Sequence, residues 1–225
     1  PALALGVFAV TPLEMARAYG AFANGGYLVS PRLYQTVTDA SGRAIYRQPV
    51  QRIAALSPQI AAVTTDLLQA VMRPGGTGAR VASECPPGTA AKTGTTDTDA
   101  WMVGYSGEIV CAVWVGYDRN LPLGPIASHI PARIFADTLR ASANLHLLGS
   151  APPLPPGVVR VAIDPQSGLR ATSQCPHREW DLFVAGSEPM VACSVHPEPR
   201  RSLLDQALAS LRRAFTWLTG RRMVQ

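Results

Sequence analysis

Lysine is almost missing from this chain of 225 residues: Lys92 is the only one among 20 basic Lys and Arg residues. Where arginine otherwise supplies the positive charge, one retained lysine points to a need for a compact ammonium instead of a planar fork. The same scarcity excludes one arrangement. A serine activated by a lysine one helical turn away requires Ser-x-x-Lys, and the residue three before Lys92 is Thr89, so the chain holds no such nucleophile. Long apolar runs are also lacking, the longest being the short run from Ile109 to Val115, against the roughly 18 residues that span a bilayer. Charged residues are few, 16% against 47% hydrophobic, which excludes a disordered tail and fits a folded globule. No nucleic-acid motif accompanies the formal charge of +5, and its pairs Arg200-Arg201, Arg212-Arg213 and Arg221-Arg222 suit an anionic surface better than base reading. Initiator Met and signal-peptide patterning are missing from Pro1-Ala2-Leu3-Ala4-Leu5-Gly6, which reads as a segment beginning mid-protein.

What is present reads as an α+β layered domain followed by a small module. Thr11-Pro12-Leu13-Glu14 predicts a helix start with a capping box, closed at Asn24-Gly25-Gly26. Residues 27–47 read as extended with a turn at Asp39-Ala40-Ser41-Gly42. A second helix is expected from Ser57-Pro58 to about Met72, with Ile60, Val63, Leu67 and Val71 on its buried face. Pro74-Gly75-Gly76-Thr77-Gly78 ends it. Two apolar strands, Trp101 to Tyr105 and Ile109 to Tyr117, should form a hairpin beside the strand that enters Lys92, covered by a helix from about Pro131 to Leu147. The proline run 151–156 marks a boundary, giving a main domain over 1–150, a loop-rich module over 151–200 and a helix over 201–225.

Ala90-Ala91-Lys92-Thr93-Gly94-Thr95-Thr96 contains a KTGT run, and its context gives it specificity. Val10-Thr11-Pro12-Leu13-Glu14-Met15-Ala16, Phe22-Ala23-Asn24-Gly25-Gly26, Gly76-Thr77-Gly78-Ala79, Asp99-Ala100-Trp101, Val103-Gly104-Tyr105 and Ala112-Val113-Trp114-Val115-Gly116-Tyr117-Asp118 accompany it in order. Together they resemble the C-terminal part of the transpeptidase domain of class A penicillin-binding proteins, the bifunctional glycosyltransferase and transpeptidase synthases of the bacterial wall. Looser matches at Ile163-Asp164-Pro165, Gly168-Leu169, Cys175-Pro176 and Gly186-Ser187-Glu188-Pro189 resemble the family's small tail. Two departures stand out: a short connection from Thr96 to Asp99, and no glycine-rich approach across Ile126 to Pro131.

The resemblance implies the penicillin-binding protein and serine β-lactamase fold, incomplete at its N-terminus. It also implies a parent D,D-transpeptidase that crosslinks wall peptides by serine acyl transfer from D-Ala-D-Ala stems. Lys92 and Thr95 would be the catalytic residues contributed here, with Thr93, Gly94, Thr95 and Thr96 binding substrate and the Thr95 N–H serving as an oxyanion donor. Partners would be peptidoglycan stem peptides, the lipid-linked precursor polymer and β-lactam antibiotics, without nucleic acid and without a cofactor. The parent would be anchored in the bacterial inner membrane through a preceding segment and face the periplasm or exterior. Ser142-Ala143-Asn144 matches the family's Ser-x-Asn but lies after the KTG run, against the family order, and reads as a helix-face polar pair. A β-lactamase relative would need Glu-x-x-x-Asn before the KTG run, which neither Glu14 nor Glu84 begins. A non-catalytic wall-polymer or partner-binding module is the rival from another class.

Cys175 and Cys193 bracket the tail loop and are expected as a disulfide, worth about 3 kcal/mol for such a loop. The alternative is a zinc site from Cys175, His177, Cys193 and His196. Cys85 and Cys111 read as unpaired. Leu204, Leu208, Leu211, Phe215 and Leu218, spaced four, three, four and three, predict an amphipathic helix packed on protein, or on a membrane through Arg212, Arg213, Arg221 and Arg222.

Overall fold

The computed structural model describes residues 8–124, 129–144 and 153–198, so the C-terminal amphipathic helix expected near 203–218 lies outside the described residues. These fall into two compact units, one running to Arg160 and including Leu182–Glu188, the other made of Val161–Asp181 and residues from Pro189 onward. The division does not coincide with the proline run.

Helix α1 (Pro12–Ala23) begins where its capping residues place it: Glu14 N–H donates to Thr11 Oγ1 at 3.2 Å, and Thr11 N–H donates back to Glu14 Oε2 at 2.8 Å. At its end Gly26 has φ 101° and a Cβ there would lie 2.2 Å from Leu56 O, so only glycine fits this close crossing. Strand β1 (Tyr27–Val29) pairs with β4 (Arg52–Ala54), and the turn at Asp39 joins β2 (Thr36–Thr38) to β3 (Ala44–Arg47). Asp39 Oδ1 accepts from the N–H groups of Ser41 and Arg43, both at 3.0 Å.

Helix α2 (Pro58–Ala70) is capped by Ser57, but its buried face is not the expected one. Ile60 and Leu67 are 45% and 65% exposed, while Ala61, Thr65, Asp66 and Leu68 turn inward. Bonded polar groups decide the rotation. Thr65 Oγ1 gives its proton to Ala61 O at 2.8 Å, so Tyr105 Oη, 2.7 Å away, donates to Thr65. Asp66 accepts from Arg73 at 3.0 Å and from the Leu182 N–H at 2.9 Å, satisfying a carboxylate that is 7% exposed. Ranking apolar residues alone misses such a face.

After the four-residue helix α3 (Ala79–Ala82) comes the central antiparallel sheet, β5 (Ala90–Thr95), β6 (Asp99–Ser106) and β7 (Ile109–Gly116), in that order. Ser106 pairs with Ile109 across a two-residue loop, in which Gly107 takes φ 56° as tight hairpins require. The pleat sends neighbouring alanines to opposite layers. Ala91 and Met102 pack with Phe135, Ala136 and Leu139 of helix α4 (His129–Asn144), and Ala90 and Tyr105 pack with Leu68, Tyr19 and Phe22 of α2 and α1. Helix α4 starts two residues before the expected Pro131, which is buried within its first turn.

Strands β8 (Val158–Ile163) and β9 (Glu179–Val184) make a two-stranded sheet. In the second unit the chain turns at Asp164, whose backbone oxygen accepts from Gly168 N–H at 2.8 Å, and Ile163, Cys175 and Cys193 are buried.

Two substitutions test the central layers. Phe135 is fully buried, and Phe135→Ala should cost about 3–5 kcal/mol in urea denaturation. A Cβ at Gly104 would lie 2.3 Å from Ala90 O and 2.7 Å from Ala91 Cα. Gly104→Ala should therefore destabilise despite the good transfer energy of a methyl group, and unchanged stability would contradict the close pairing of β5 and β6.

Candidate functional site

The KTGT residues form the outer strand of the described sheet. Lys92 pairs with Val103, Gly94 with Trp101 and Thr95 with Ala100. Thr96 N–H donates to Asp99 O at 2.8 Å, closing a two-residue loop at Asp97-Thr98. This bond sets the phase of the antiparallel ladder, because residues alternate between bonding their partner and bonding outward. Gly94 and Lys92 thus turn their backbone groups toward β6, while Thr93 and Thr95 present theirs to the opposite edge, open among the described residues. Lys92 Nζ reaches that edge, donating to Thr93 O at 2.5 Å, and its side chain is exposed.

Two polar clusters hold the strand in place. On one side Thr77 Oγ1 lies 2.8 Å from Thr93 Oγ1, which ties the Gly76-Thr77-Gly78 turn to the strand. At the tip, Asp99 accepts from Thr98 Oγ1 at 3.0 Å and from Trp114 Nε1 at 2.7 Å, while its own N–H donates to Thr96 Oγ1 at 3.0 Å. Thr96, expected among the substrate-binding hydroxyls, thus turns its hydroxyl into this loop. The short Thr96 to Asp99 connection is a tight hairpin end. Asp99 is the residue that sequence reasoning passed over as a positioning group; its signal was a carboxylate following two threonines in a hairpin loop.

Gly94 has room. A Cβ there would meet Trp101 Cβ at 3.4 Å, an ordinary contact, so packing among the described residues does not demand glycine. Trp101 in turn lies 6.4 Å from Trp114, ring centre to ring centre, forming an apolar floor behind the strand tip. Deeper in the same layer, burial pushes the Tyr105 phenol up to about 12, offset in part by its bond to Thr65, so it remains a neutral donor. The Ser-x-Asn lookalike is otherwise engaged: Ser142 Oγ donates to Thr138 O at 2.9 Å along its own helix.

The second unit departs from the disulfide expectation, since Cys175 and Cys193 are both free thiols and both buried. His177, part of the alternative zinc set, is exposed and stands apart. In its place Asp164 joins Cys175, Cys193 and His196, with one ligand atom of each lying within 4.8 Å of the others. The Asp164 carboxyl is held down at about 2, chiefly by the bond from Cys193 Sγ, against the burial that opposes its ionisation.

Comparison with known proteins covers both the strand-bearing part of the chain and the tail. Residues 2–139 match the family model for the penicillin binding protein transpeptidase domain, and residues 154–198 match that for the C-terminal domain of penicillin-binding protein 1A. Penicillin-binding protein 2D of Bacillus subtilis is 32% identical over 213 residues, covering 92% of this chain and 30% of that protein. Penicillin-binding protein 1A of Aquifex aeolicus is 35% identical over 196 residues, covering 85% of this chain and 26% of the relative. The crystal structure of penicillin-binding protein 1A from Haemophilus influenzae superposes with a TM-score of 0.71 at 27% identity, over 85% of this chain and 34% of that one. The chain spans about a third or less of the relatives it matches. With the transpeptidase model covering most of its length and the open-edged KTGT strand in register, the chain belongs to the penicillin-binding protein transpeptidase family.

Proposed function

We propose that this chain is the KTG-strand portion of a peptidoglycan D,D-transpeptidase, a serine acyltransferase that crosslinks wall peptides and is acylated by β-lactams. The observation that carries the reading is the edge of β5, open among the described residues, where Thr93 and Thr95 offer backbone groups beside the chain's single lysine. A stem peptide ending in D-Ala-D-Ala adds to this edge as a strand, its backbone bonding to the outward groups of Thr93 and Thr95. The bare Cα of Gly94 leaves the approach unobstructed.

A serine from a segment preceding this chain attacks the penultimate carbonyl carbon. The electron pair moves onto the carbonyl oxygen, where the Thr95 N–H stabilises the developing charge. Collapse expels the terminal D-alanine, whose amine takes the serine proton; an acceptor amine then attacks the acyl carbon, the bond to the serine oxygen breaks, and the amine's proton returns to the serine. The hydroxyls of Thr93 and Thr95 bind the terminal carboxylate within the field of Lys92. Thr96 works indirectly, holding the hairpin tip with Asp99. The buried Asp164 carboxylate and the thiols of Cys175 and Cys193 take no part, and the reaction calls for no cofactor. The parent synthase is membrane-anchored through its own preceding segment, faces the periplasm or exterior, and draws on lipid-linked precursor polymer.

Two measurements test the reading. The isolated chain, lacking Ser-x-x-Lys, should not be acylated by a fluorescent penicillin, and a covalent band competed away by unlabelled penicillin would sink it. In the full-length parent, Lys92→Ala should slow acylation about a hundredfold or more while unfolding at the wild-type temperature. Lys92→Arg should recover only part of the rate, because a guanidinium fork cannot reproduce a compact ammonium. Wild-type acylation in folded Lys92→Ala would remove Lys92 from the mechanism.

A further inference from the structure

We infer that Asp164, Cys175, Cys193 and His196 form a structural zinc site in the second unit. The four side chains come from three places in the sequence, the turn after β8, the loop before β9 and the Cys193-Ser194-Val195-His196 segment, yet one ligand atom of each lies within 4.8 Å of the rest. Three of the four residues are buried, and Asp164 is 1% exposed.

Two of the separations match the edges of a tetrahedron. Bonds of about 2.3 Å to sulfur and about 2.0 Å to nitrogen or oxygen give tetrahedral edges of about 3.5 Å from sulfur to nitrogen and about 3.3 Å from nitrogen to oxygen. Cys193 Sγ lies 3.6 Å from His196 Nδ1, and His196 Nδ1 lies 3.3 Å from Asp164 Oδ2. The third edge, Cys193 Sγ to Asp164 Oδ2 at 2.9 Å, is a thiol hydrogen bond that a metal replaces; it opens by about half an ångström when the proton leaves.

The surroundings favour negative sulfur. Thr172 N–H donates to Cys175 Sγ at 3.2 Å and His196 N–H donates to Cys193 Sγ at 3.3 Å. Ser167 Oγ holds the Asp164 carboxylate from outside at 2.9 Å, as outer partners orient metal ligands. A disulfide would consume both thiols and leave the buried carboxylate without the Cys193 donor, whereas a divalent cation engages all four groups. Two thiolates, one imidazole and one carboxylate in tetrahedral reach select zinc among common divalent ions. Binding displaces one proton from each thiol into solvent.

The test uses the whole chain, purified under reducing conditions. After equilibration with zinc and desalting it should retain about one zinc per chain, and Cys175→Ser, Cys193→Ser and Asp164→Ala should each lose most of it, while His177→Ala keeps it. Cobalt(II) added to the metal-free wild-type chain needs no variant to fold: thiolate-to-cobalt charge transfer with intense tetrahedral d–d bands is the expected spectrum. An octahedral, thiolate-free cobalt spectrum would overturn the site. So would a Cys175–Cys193 disulfide peptide from metal-free protein purified without reductant that persists when zinc is present throughout expression. Loss of zinc in His177→Ala with retention in Asp164→Ala would reject these ligands in favour of the other histidine. None of these readouts involves acylation, so the metal site and the transpeptidase reading stand or fall separately.

Discussion

The register of β5 on β6 is the constraint on which the rest of the first unit depends. A shift by one residue would reverse every side chain, sending Ala91 away from Phe135 and Leu139 and driving Lys92 into their place. It would also exchange the outward backbone groups of Thr93 and Thr95 for those of Lys92 and Gly94. Three local features prevent the slip. Gly104 admits the backbone of Ala91 closely, the two-residue loop at Asp97-Thr98 leaves no slack, and Asp99 fastens that loop to Trp114 on the third strand.

The sheet is apolar where helices cover it, and the polar side chains of β5 gather toward its C-terminal tip. Ala90 and Ala91 are small enough for helices to approach from both sides, so the layers are held by Phe135, Met102, Leu139 and Tyr105 above and below a strand of modest side chains. That division lets the C-terminal half of β5 carry lysine, glycine and threonines without disturbing the core. Rigid positioning of those groups comes from the strand itself, paired along its length with β6. Thr77 and Asp99 then remove the remaining freedom at the tip.

The second unit is organised differently. Its buried residues include Asp164 and Thr172 beside Val161, Ile163 and the two cysteines, and a small apolar core of that kind supplies little stabilisation by itself. Polar bonds compensate: Thr172 links to Cys175 and to His196 O, Ser173 to Glu198, and Ser167 to Asp164. Small modules commonly add a covalent or metal staple to such a core, and the cysteines serve that need through their geometry with Asp164 and His196.

Features governed by short-range chemistry were legible from the chain alone. The capping box at Thr11 and Glu14, the hairpin at Gly107, the strand entering Lys92 and the helix carrying Phe135 follow from local spacing and turn residues, and the motif order carried the family. Features set by distant partners were not. Helix α2 exposes Ile60 and Leu67 because Thr65 and Asp66 find their partners in Tyr105 and Leu182, residues 40 and 116 positions away. Thr96 turns its hydroxyl into the loop because the Asp99 N–H donates to it there. His196 stands in place of His177, and Asp164 enters the cluster, because a turn 29 residues from Cys193 returns beside it. Sequence determined the elements and their chemistry through interactions within a few residues; only the tertiary structure decided which polar groups meet, since a hydrogen bond depends on position in space to within fractions of an ångström.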